Sequence, residues 1–200
     1  MAQQQQLGNL VRNLVACLVA AGCLCGVSTL AMEQSAAGTR VRGFSTQAKA
    51  LIVEGLRKSP TICSLVTQLE QSDVILYVHL GLDADIGLGR TQLLDTAGET
   101  RFLRVEVSAR LAPQRRLEIL GHELQHVAEI ASMPDIRNSR DLAERYAKLG
   151  WQVGSERDYE TDAARQVELR VKRELGRQLR HLTPGTPSSR CSVVMATDAR

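Results

Sequence analysis

Aromatic side chains are scarce in this chain, which has one Trp, three Tyr and two Phe among its 200 residues. A hydrophobic core must therefore be built mainly from Leu, Val, Ile and Ala. Apolar residue types make up 44% of the chain and charged types 24%, which is ordinary for a soluble protein. The length and composition together predict one folded domain.

The chain also lacks any block of charge of one sign. Its formal net charge is +3, and acidic and basic residues are mixed along the sequence. The Arg and Glu residues between 165 and 180 are typical of a solvated helix face. Nucleic-acid binding needs a basic stripe or patch that contacts phosphates, so the charge pattern gives no basis for a nucleic-acid partner.

Two common ligand-binding loops are absent from the glycine-rich stretch between 81 and 89. Asp83 and Asp85 are spaced like the first ligands of a calcium loop, but Gly87 occupies the next ligand position. The sequence Gly87-Leu88-Gly89 lacks the third glycine of a dinucleotide-binding turn. The stretch therefore predicts neither a calcium site nor a dinucleotide site.

An uncharged apolar run at residues 14–24 follows Arg12 and is short for a membrane-spanning helix. Small residues follow it up to Ala31, a pattern typical of a secretory signal cleaved at that point. The stretch Ala20-Ala21-Gly22-Cys23 also resembles a lipoprotein cleavage box, and an apolar helix of a cytosolic protein is the alternative. We expect residues 1–32 to be a signal peptide or N-terminal membrane anchor. The remainder is then extracytoplasmic, periplasmic or secreted, and contacts a membrane only if this segment stays uncleaved or is lipidated.

Three of the five cysteines lie in the N-terminal segment, which leaves Cys63 and Cys191 in the rest of the chain. In an exported protein these two cysteines could form a disulfide that ties down the C-terminal tail. The alternative is that Cys63 is a core residue on the apolar face of a helix.

The pentapeptide His122-Glu123-Leu124-Gln125-His126 has two histidines four residues apart, with a glutamate directly after the first. On a helix, residues with this spacing share one face, so both imidazoles can reach a single Zn²⁺ ion. Glu123 would lie beside the metal, where it can take a proton from a zinc-bound water. The motif suggests metal-dependent peptide hydrolysis; a chance match or a solvent-facing polar stripe is the alternative.

The motif lies in a predicted helix between Pro113 and Pro134, a span of about five turns. One side of this helix is apolar and should face the core: Leu117, Leu120, Leu124, Val127, Ala128 and Ala131. The two histidines lie on nearly the opposite side together with Glu129 and Met133, so we expect that side to face a cleft.

A third metal ligand must come from elsewhere, because residues 127–132 supply neither histidine nor glycine. Glu160 is the candidate, 34 residues after His126. The sequence predicts a helix from about 160 to 179 whose apolar stripe includes Glu160 and Ala164. An inward-facing glutamate is costly unless it is paired or bound to a cation. A first-turn glutamate favoured by the helix dipole is the alternative.

Other polar residues compete for roles near this site. Glu129 shares the histidine face, but one helix rarely supplies all three ligands of a tetrahedral ion, so it should support a ligand or lie at the surface. Asp162 could orient a ligating imidazole from behind. Weaker ligand candidates are Glu144 and Glu156. Candidate donors to a developing oxyanion are Tyr159, Tyr146 and His181.

The segment 101–107 precedes the motif helix and alternates, with Leu103, Val105 and Val107 on one face, which predicts a strand. A strand beside the metal could bind an extended peptide by strand addition, although a plain edge strand is as good an interpretation. The remaining predictions are a linker at 33–45, a disordered tail at 183–200, helices at 46–56, 61–69 and 141–149, a central strand at 74–80 and a short strand at 91–94.

The strand, the His122–His126 helix and a downstream glutamate-bearing helix resemble the minimal catalytic core of gluzincin metallopeptidases over residues 60–180. The compact size is similar to that of minigluzincins and of small bacterial envelope proteins with the same plan. This resemblance implies a zincin-like α+β fold, with a small mixed sheet and zinc endopeptidase chemistry. In many gluzincins an aspartate four residues after the third ligand supports a histidine, and here that position is Ala164.

The leading hypothesis is an exported, monomeric zinc metallopeptidase with one domain at 46–182 that acts on a peptide or protein substrate. His122, His126 and Glu160 would bind Zn²⁺, and Glu123 would be the general base. One alternative is a non-catalytic zinc-binding envelope protein that uses the same ligands to support a partner-binding module. Another is a domain with a chance motif and no metal.

Overall fold

A four-stranded mixed sheet organises the protein, as a computed structural model shows; the structure describes residues 40–82, 87–149, 151–152 and 159–180. The strands are β1 (Val41–Gly43), β2 (Val74–Gly81), β3 (Gly89–Ala97) and β4 (Thr100–Ser108), in the spatial order β1-β2-β4-β3. The first three strands in that order are parallel, whereas β3 runs antiparallel to β4 and forms one edge of the sheet.

Five helices and a two-stranded hairpin complete the described part of the chain. The helices are α1 (Thr46–Lys58), α2 (Pro60–Glu70), α3 (Pro113–Ala131), α4 (Ser139–Leu149) and α5 (Asp162–Arg180), and the hairpin pairs β5 (Trp151–Gln152) with β6 (Tyr159–Glu160). Helices α1 and α3 contact the sheet, and α2 and α5 pack against α3. The described fold is therefore α+β with a small mixed sheet, as the sequence predicted. None of the described helices is both long and apolar enough to cross a membrane.

The sheet packs its helices on one face because buried and exposed side chains alternate along its central strands. Leu76 and Val78 of β2 are register partners of Leu103 and Val105 of β4, and all four are fully buried. Their chain neighbours, such as Tyr77, are only partly buried on the opposite face. This alternation is the period-2 pattern that predicted both strands.

Arg101 anchors the C-terminal end of α3 to the sheet. Its side chain is fully buried, and its guanidinium donates two hydrogen bonds of 2.7 Å to the carboxylate of Asp73. The same guanidinium donates to the carbonyls of Ile130 at 2.7 Å, Met133 at 2.8 Å and Ala131 at 3.1 Å. A cation is favourable there because the last carbonyls of a helix have no partner within the helix and carry partial negative charge.

Three details of the sequence-based organisation were wrong. The strand at 101–107 is not an edge strand, because β4 pairs with β2 on one side and with β3 on the other. The short strand expected at 91–94 is the longer edge strand β3, which has an irregularity between Leu93 and Asp95. Residues 41–43 fall within the expected linker but form β1, which pairs with β2. Alternation along one strand shows its faces but not its neighbours, so strand order could not be read from it.

Candidate metal centre

His122, His126 and Glu160 converge on one point between α3 and the start of α5. Oε1 of Glu160 lies 3.5 Å from Nε2 of His122 and 3.8 Å from Nε2 of His126. The three ligand atoms all lie within 4.8 Å of one another. Ligands bound tetrahedrally at about 2.0–2.1 Å from a zinc ion lie ~3.3 Å apart, so these atoms need only small movements to share one ion.

The helix α3 extends from Pro113 to Ala131, close to the predicted limits, and its apolar side faces the core as expected. The histidine side, however, is not open to a wide cleft. His122 is 9% exposed and His126 is 7% exposed, because α5 packs over this side of α3. The close approach of the two helices depends on Gly121, where a Cβ atom would lie 2.7 Å from Cγ2 of Val171.

Glu160 is not part of the helix that the sequence predicted for it. It lies in β6, opposite Trp151 of β5, and α5 begins only at Asp162. Thr161 separates the two elements and caps the helix, since its hydroxyl accepts a 3.1 Å hydrogen bond from the backbone N–H of Ala164. The rest of the predicted apolar stripe is confirmed, because Ala164, Val167, Val171 and Leu175 are buried.

A carboxylate stands behind each imidazole, on the side opposite Glu160. Nδ1 of His122 lies 3.1 Å from Oε2 of Glu168, and Nδ1 of His126 lies 3.2 Å from Oε2 of Glu129. When each Nδ1–H donates to its carboxylate, the lone pair of each Nε2 points toward Glu160, which is the tautomer that binds a metal. Glu129 thus lies behind His126, where its carboxylate can orient the imidazole.

Glu168 is the residue that sequence reasoning missed. The residues 165–180 were interpreted as a solvated face, and Asp162 was the candidate for the supporting carboxylate; Asp162 is instead exposed in the first turn of α5. Glu168 lies one helical turn beyond Ala164, the position where gluzincins have an aspartate. Arg115 of α3 holds Glu168 from the other side, with Nη1 donating a 2.6 Å hydrogen bond to Oε1.

The Glu129 carboxylate accepts hydrogen bonds from several groups at once. The hydroxyls of Thr161 and Tyr146 donate to it at 2.8 Å and 3.0 Å, in addition to the contact with His126. Burial acts to raise the pKa of Glu129, but the hydrogen bond and charge of His126 outweigh it and place this pKa below its ordinary value. Glu129 is therefore held as an anion that can orient His126.

Tyr146 stands behind His126 and not beside the ligand atoms. It is 6% exposed, and its ring packs edge-on against the His126 imidazole with 5.8 Å between centroids. Its hydroxyl contacts Glu129, so it cannot act as an oxyanion donor from this position. Burial raises the pKa of Tyr146 well above its ordinary value, which keeps its proton available to Glu129.

Glu123 lies between the two imidazoles and the edge strand β3. It is 5% exposed, and its Oε2 accepts a 2.7 Å hydrogen bond from the hydroxyl of Thr91. A Cβ atom at Gly89 would lie 2.6 Å from Cγ2 of Ile119 and 2.7 Å from Oε1 of Glu123, so a larger residue there would require these side chains to move. Burial raises the pKa of Glu123 despite the opposing effects of His126 and His122. A raised pKa suits a general base that works near neutral pH.

The outer edge of β3 can pair with a further strand. The N–H of Ser108 donates to the carbonyl of Leu88 at 3.0 Å, which fixes the phase of the antiparallel ladder. Because hydrogen-bonded pairs alternate in such a ladder, the backbone groups of Gly89, Thr91 and Leu93 point away from β4. No strand within the described ranges occupies that side of β3. Within the described residues, the edge next to Glu123 therefore has no strand paired with the backbone donors and acceptors of Gly89, Thr91 and Leu93.

The charge around the two histidines fits a divalent cation. Carboxylates surround the two imidazoles: Glu160 faces both Nε2 atoms, Glu168 lies behind His122 and Glu129 lies behind His126. Arg115 binds Glu168. Burial acts to lower the pKa of His126, yet the surrounding carboxylates raise it above its ordinary value, so positive charge is favoured at this place. Two histidines and one glutamate form a donor set that zinc uses in catalytic sites.

The remaining predicted residues lie away from the site or outside the description. Glu144 is exposed on α4. The backbone of Tyr159 forms part of β6, but its side chain is outside the described part, as are Glu156 and His181. Cys63 is disulfide-bonded, and Cys191 lies outside the described residues, so the pairing of these two stays a prediction.

Comparisons with known protein families, curated proteins and solved structures found no match to the chain. The function must therefore be inferred from the chemistry of the residues themselves.

Proposed function

We propose that this protein is a zinc-dependent peptidase with a zincin-like arrangement of sheet, motif helix and third ligand. The convergence of Nε2 of His122 and Nε2 of His126 on Oε1 of Glu160, at 3.5 Å and 3.8 Å, carries this proposal. The three residues leave a fourth coordination position for a water or a substrate oxygen, as catalytic zinc sites do.

A zinc ion bound by these residues would polarise the scissile carbonyl and lower the pKa of a water molecule at the site. Glu123 then accepts a proton from the water as the water oxygen bonds to the carbonyl carbon. Glu123 returns this proton to the amide nitrogen as the C–N bond breaks, so that the amine leaves in neutral form. The hydrogen bond from Thr91 fixes the orientation of the Glu123 carboxylate during both transfers.

The substrate is an extended segment of a peptide or protein that pairs with the outer edge of β3. Gly89, Thr91 and Leu93 would supply the backbone donors and acceptors for this pairing. This assignment replaces the strand 101–107, whose two edges are both occupied. The close contact of β3 with Glu123 supports it, since a segment bound there lies beside the general base.

We further propose that the protein works outside the cytoplasm. The apolar run at 14–24, followed by small residues up to Ala31, is the basis for this proposal. The disulfide of Cys63 supports it, because structural disulfides persist in oxidising compartments.

Metal content and hydrolysis of a fluorogenic casein together test the proposal. The parent protein and Glu123→Gln should each hold about one zinc per chain, but only the parent should cleave the casein. Glu160→Ala should hold little zinc, whereas Glu144→Ala, a change at an exposed glutamate, should match the parent in both measurements. A full zinc equivalent in Glu160→Ala would move the third ligand elsewhere. No zinc in the parent after reconstitution would make the motif a coincidence.

One observation favours a second candidate function, a zinc-binding module that binds a partner without cleaving it. Glu123 is 5% exposed, and its carboxylate is enclosed by Thr91 and the Gly89 backbone, which limits access of water to it. In that case the parent would bind zinc but fail to cleave casein, and its cellular role would survive Glu123→Gln.

A further inference from the structure

Thr161 contacts one metal ligand directly and reaches a second through Glu129. Its backbone N–H donates a 2.9 Å hydrogen bond to Oε1 of Glu160, the same oxygen that faces both imidazoles. Its hydroxyl donates a 2.8 Å hydrogen bond to Oε1 of Glu129. Oε2 of Glu129 in turn lies 3.2 Å from Nδ1 of His126. Thr161 therefore links Glu160 on β6 to His126 on α3.

The hydroxyl of Thr161 has two uses at the same time. It accepts a hydrogen bond from the N–H of Ala164 at the start of α5 and donates its own proton to Glu129. A hydroxyl can do both, since it has one proton and two lone pairs. The capped end of α5 is thereby joined to the carboxylate that orients His126.

We propose that Thr161 is a positioning residue of the metal site, which sets the location of Glu160 relative to His126 before a metal binds. This inference rests on the metal-binding part of the proposed function and is independent of whether the site cleaves peptides. A displaced Glu160 carboxylate or a rotated imidazole weakens metal binding, because the ligand atoms then have to be brought together by binding itself.

Zinc affinity of the full chain, measured by competition with a chromogenic chelator, tests this role. Thr161→Ser keeps both hydrogen bonds of the hydroxyl and should bind zinc like the parent. Thr161→Val removes both and should weaken zinc binding about 10-fold, at the low end of the effect of removing groups that hold a ligand. Thr161→Gly also lacks the hydroxyl, but glycine is itself a good N-cap residue, so this variant should fold even if Thr161→Val does not.

A double-mutant cycle separates positioning from helix capping. When Thr161 acts through Glu129, the variant that combines Thr161→Val with Glu129→Gln should bind zinc about as tightly as Glu129→Gln alone. Losses of affinity that add in full would overturn the proposal, and so would parent-like affinity in both Thr161→Val and Thr161→Gly.

Ser45→Ala is the matched control, because Ser45 caps α1 by accepting a 3.1 Å hydrogen bond from the N–H of Ala48. It removes a cap of the same kind away from the metal ligands and should lower thermal stability without changing zinc affinity. An equal loss of zinc affinity in Ser45→Ala and Thr161→Val would reduce Thr161 to a structural cap. If the parent itself takes up no zinc, the metal site and this role for Thr161 fall together; if it binds zinc without cleaving casein, only the peptidase assignment fails.

Discussion

The hydroxyl of Thr91 donates a 2.7 Å hydrogen bond to Oε2 of Glu123, and this contact joins the edge strand β3 to the motif helix α3. A second hydrogen-bond contact, of 3.3 Å, joins the same hydroxyl to the backbone carbonyl of Glu123. A strand that binds an extended peptide would therefore be held in register with Glu123, the proposed general base.

Removing this hydroxyl should slow hydrolysis without removing the metal. We expect Thr91→Val to lower kcat about 10-fold or more, since misplacing a general base forfeits part of its 10²–10⁴-fold contribution. KM for casein and the zinc content should stay near the parent values, and Thr91→Ser should recover most of kcat. Thr96→Val removes a hydroxyl of the same strand that donates to the carbonyl of Arg137, and it should leave kcat unchanged.

Two helical glycines offer a test of the packing of α5 on α3. At Gly121 an added Cβ would lie 2.7 Å from Cγ2 of Val171, whereas at Gly176 an added Cβ would have no atom of the described residues within 4 Å beyond the adjacent helix backbone. Gly121→Ala should lower the free energy of unfolding by about 1–3 kcal/mol through overpacking and should weaken zinc binding by shifting Glu168. Gly176→Ala should raise the free energy of unfolding by about 0.5–1 kcal/mol, because alanine has the higher helix propensity, and should leave zinc binding unchanged. Urea unfolding and chelator competition on both variants check these directions.

The motif spacing was sufficient to predict His122, Glu123 and His126 as neighbours on one helix, because the geometry of a single helix follows directly from residue numbers. Glu160 was placed near them for a partly wrong reason. Its supposed helix begins at Asp162, after Thr161 as the capping residue, and only the structure shows that β6 brings its carboxylate to the two imidazoles.

The role of Glu168 and the position of β3 at the edge of the sheet could not be predicted, because both depend on how elements pack together. Glu168 is one of several charged residues on an amphipathic helix, and only the rotation of α5 against α3 selects it to face His122. Likewise, the sequence of β4 shows an alternating strand but does not show that β2 and β3 occupy its two sides. Local periodicity specifies faces, whereas neighbours are set by tertiary packing.

The structure assigns the support of His122 to Glu168 and not to Asp162, and zinc affinity can distinguish the two. Glu168→Gln replaces the carboxylate that lies 3.1 Å from Nδ1 and should weaken zinc binding about 10- to 100-fold. Asp162→Asn removes a charge from the exposed first turn of α5 and should leave the affinity near that of the parent. A loss of affinity in Asp162→Asn alone would restore the role that sequence reasoning gave to Asp162.

The ion pair between Asp73 and Arg101 should make stability depend on pH in the acid range. The hydrogen bonds from Arg101 hold the pKa of Asp73 below its ordinary value of 3.8, so the folded state favours the ionised carboxylate more than the unfolded state does. The stabilisation is therefore complete above the unfolded pKa and is lost as the pH falls through the lowered folded pKa.

Asp73→Asn should lower the free energy of unfolding at neutral pH by about 2–3 kcal/mol, because it weakens hydrogen bonds to a buried charge. Without the titrating carboxylate, the free energy of unfolding should also fall less steeply below pH 4, close to the ordinary pKa of 3.8. Urea unfolding measured across this pH range checks both effects. Asp135→Asn, at an exposed ion pair with Arg145, should change both much less, because solvent screens that pair. Equal effects of the two substitutions would show that Arg101 is stabilised by the carbonyls of α3 alone.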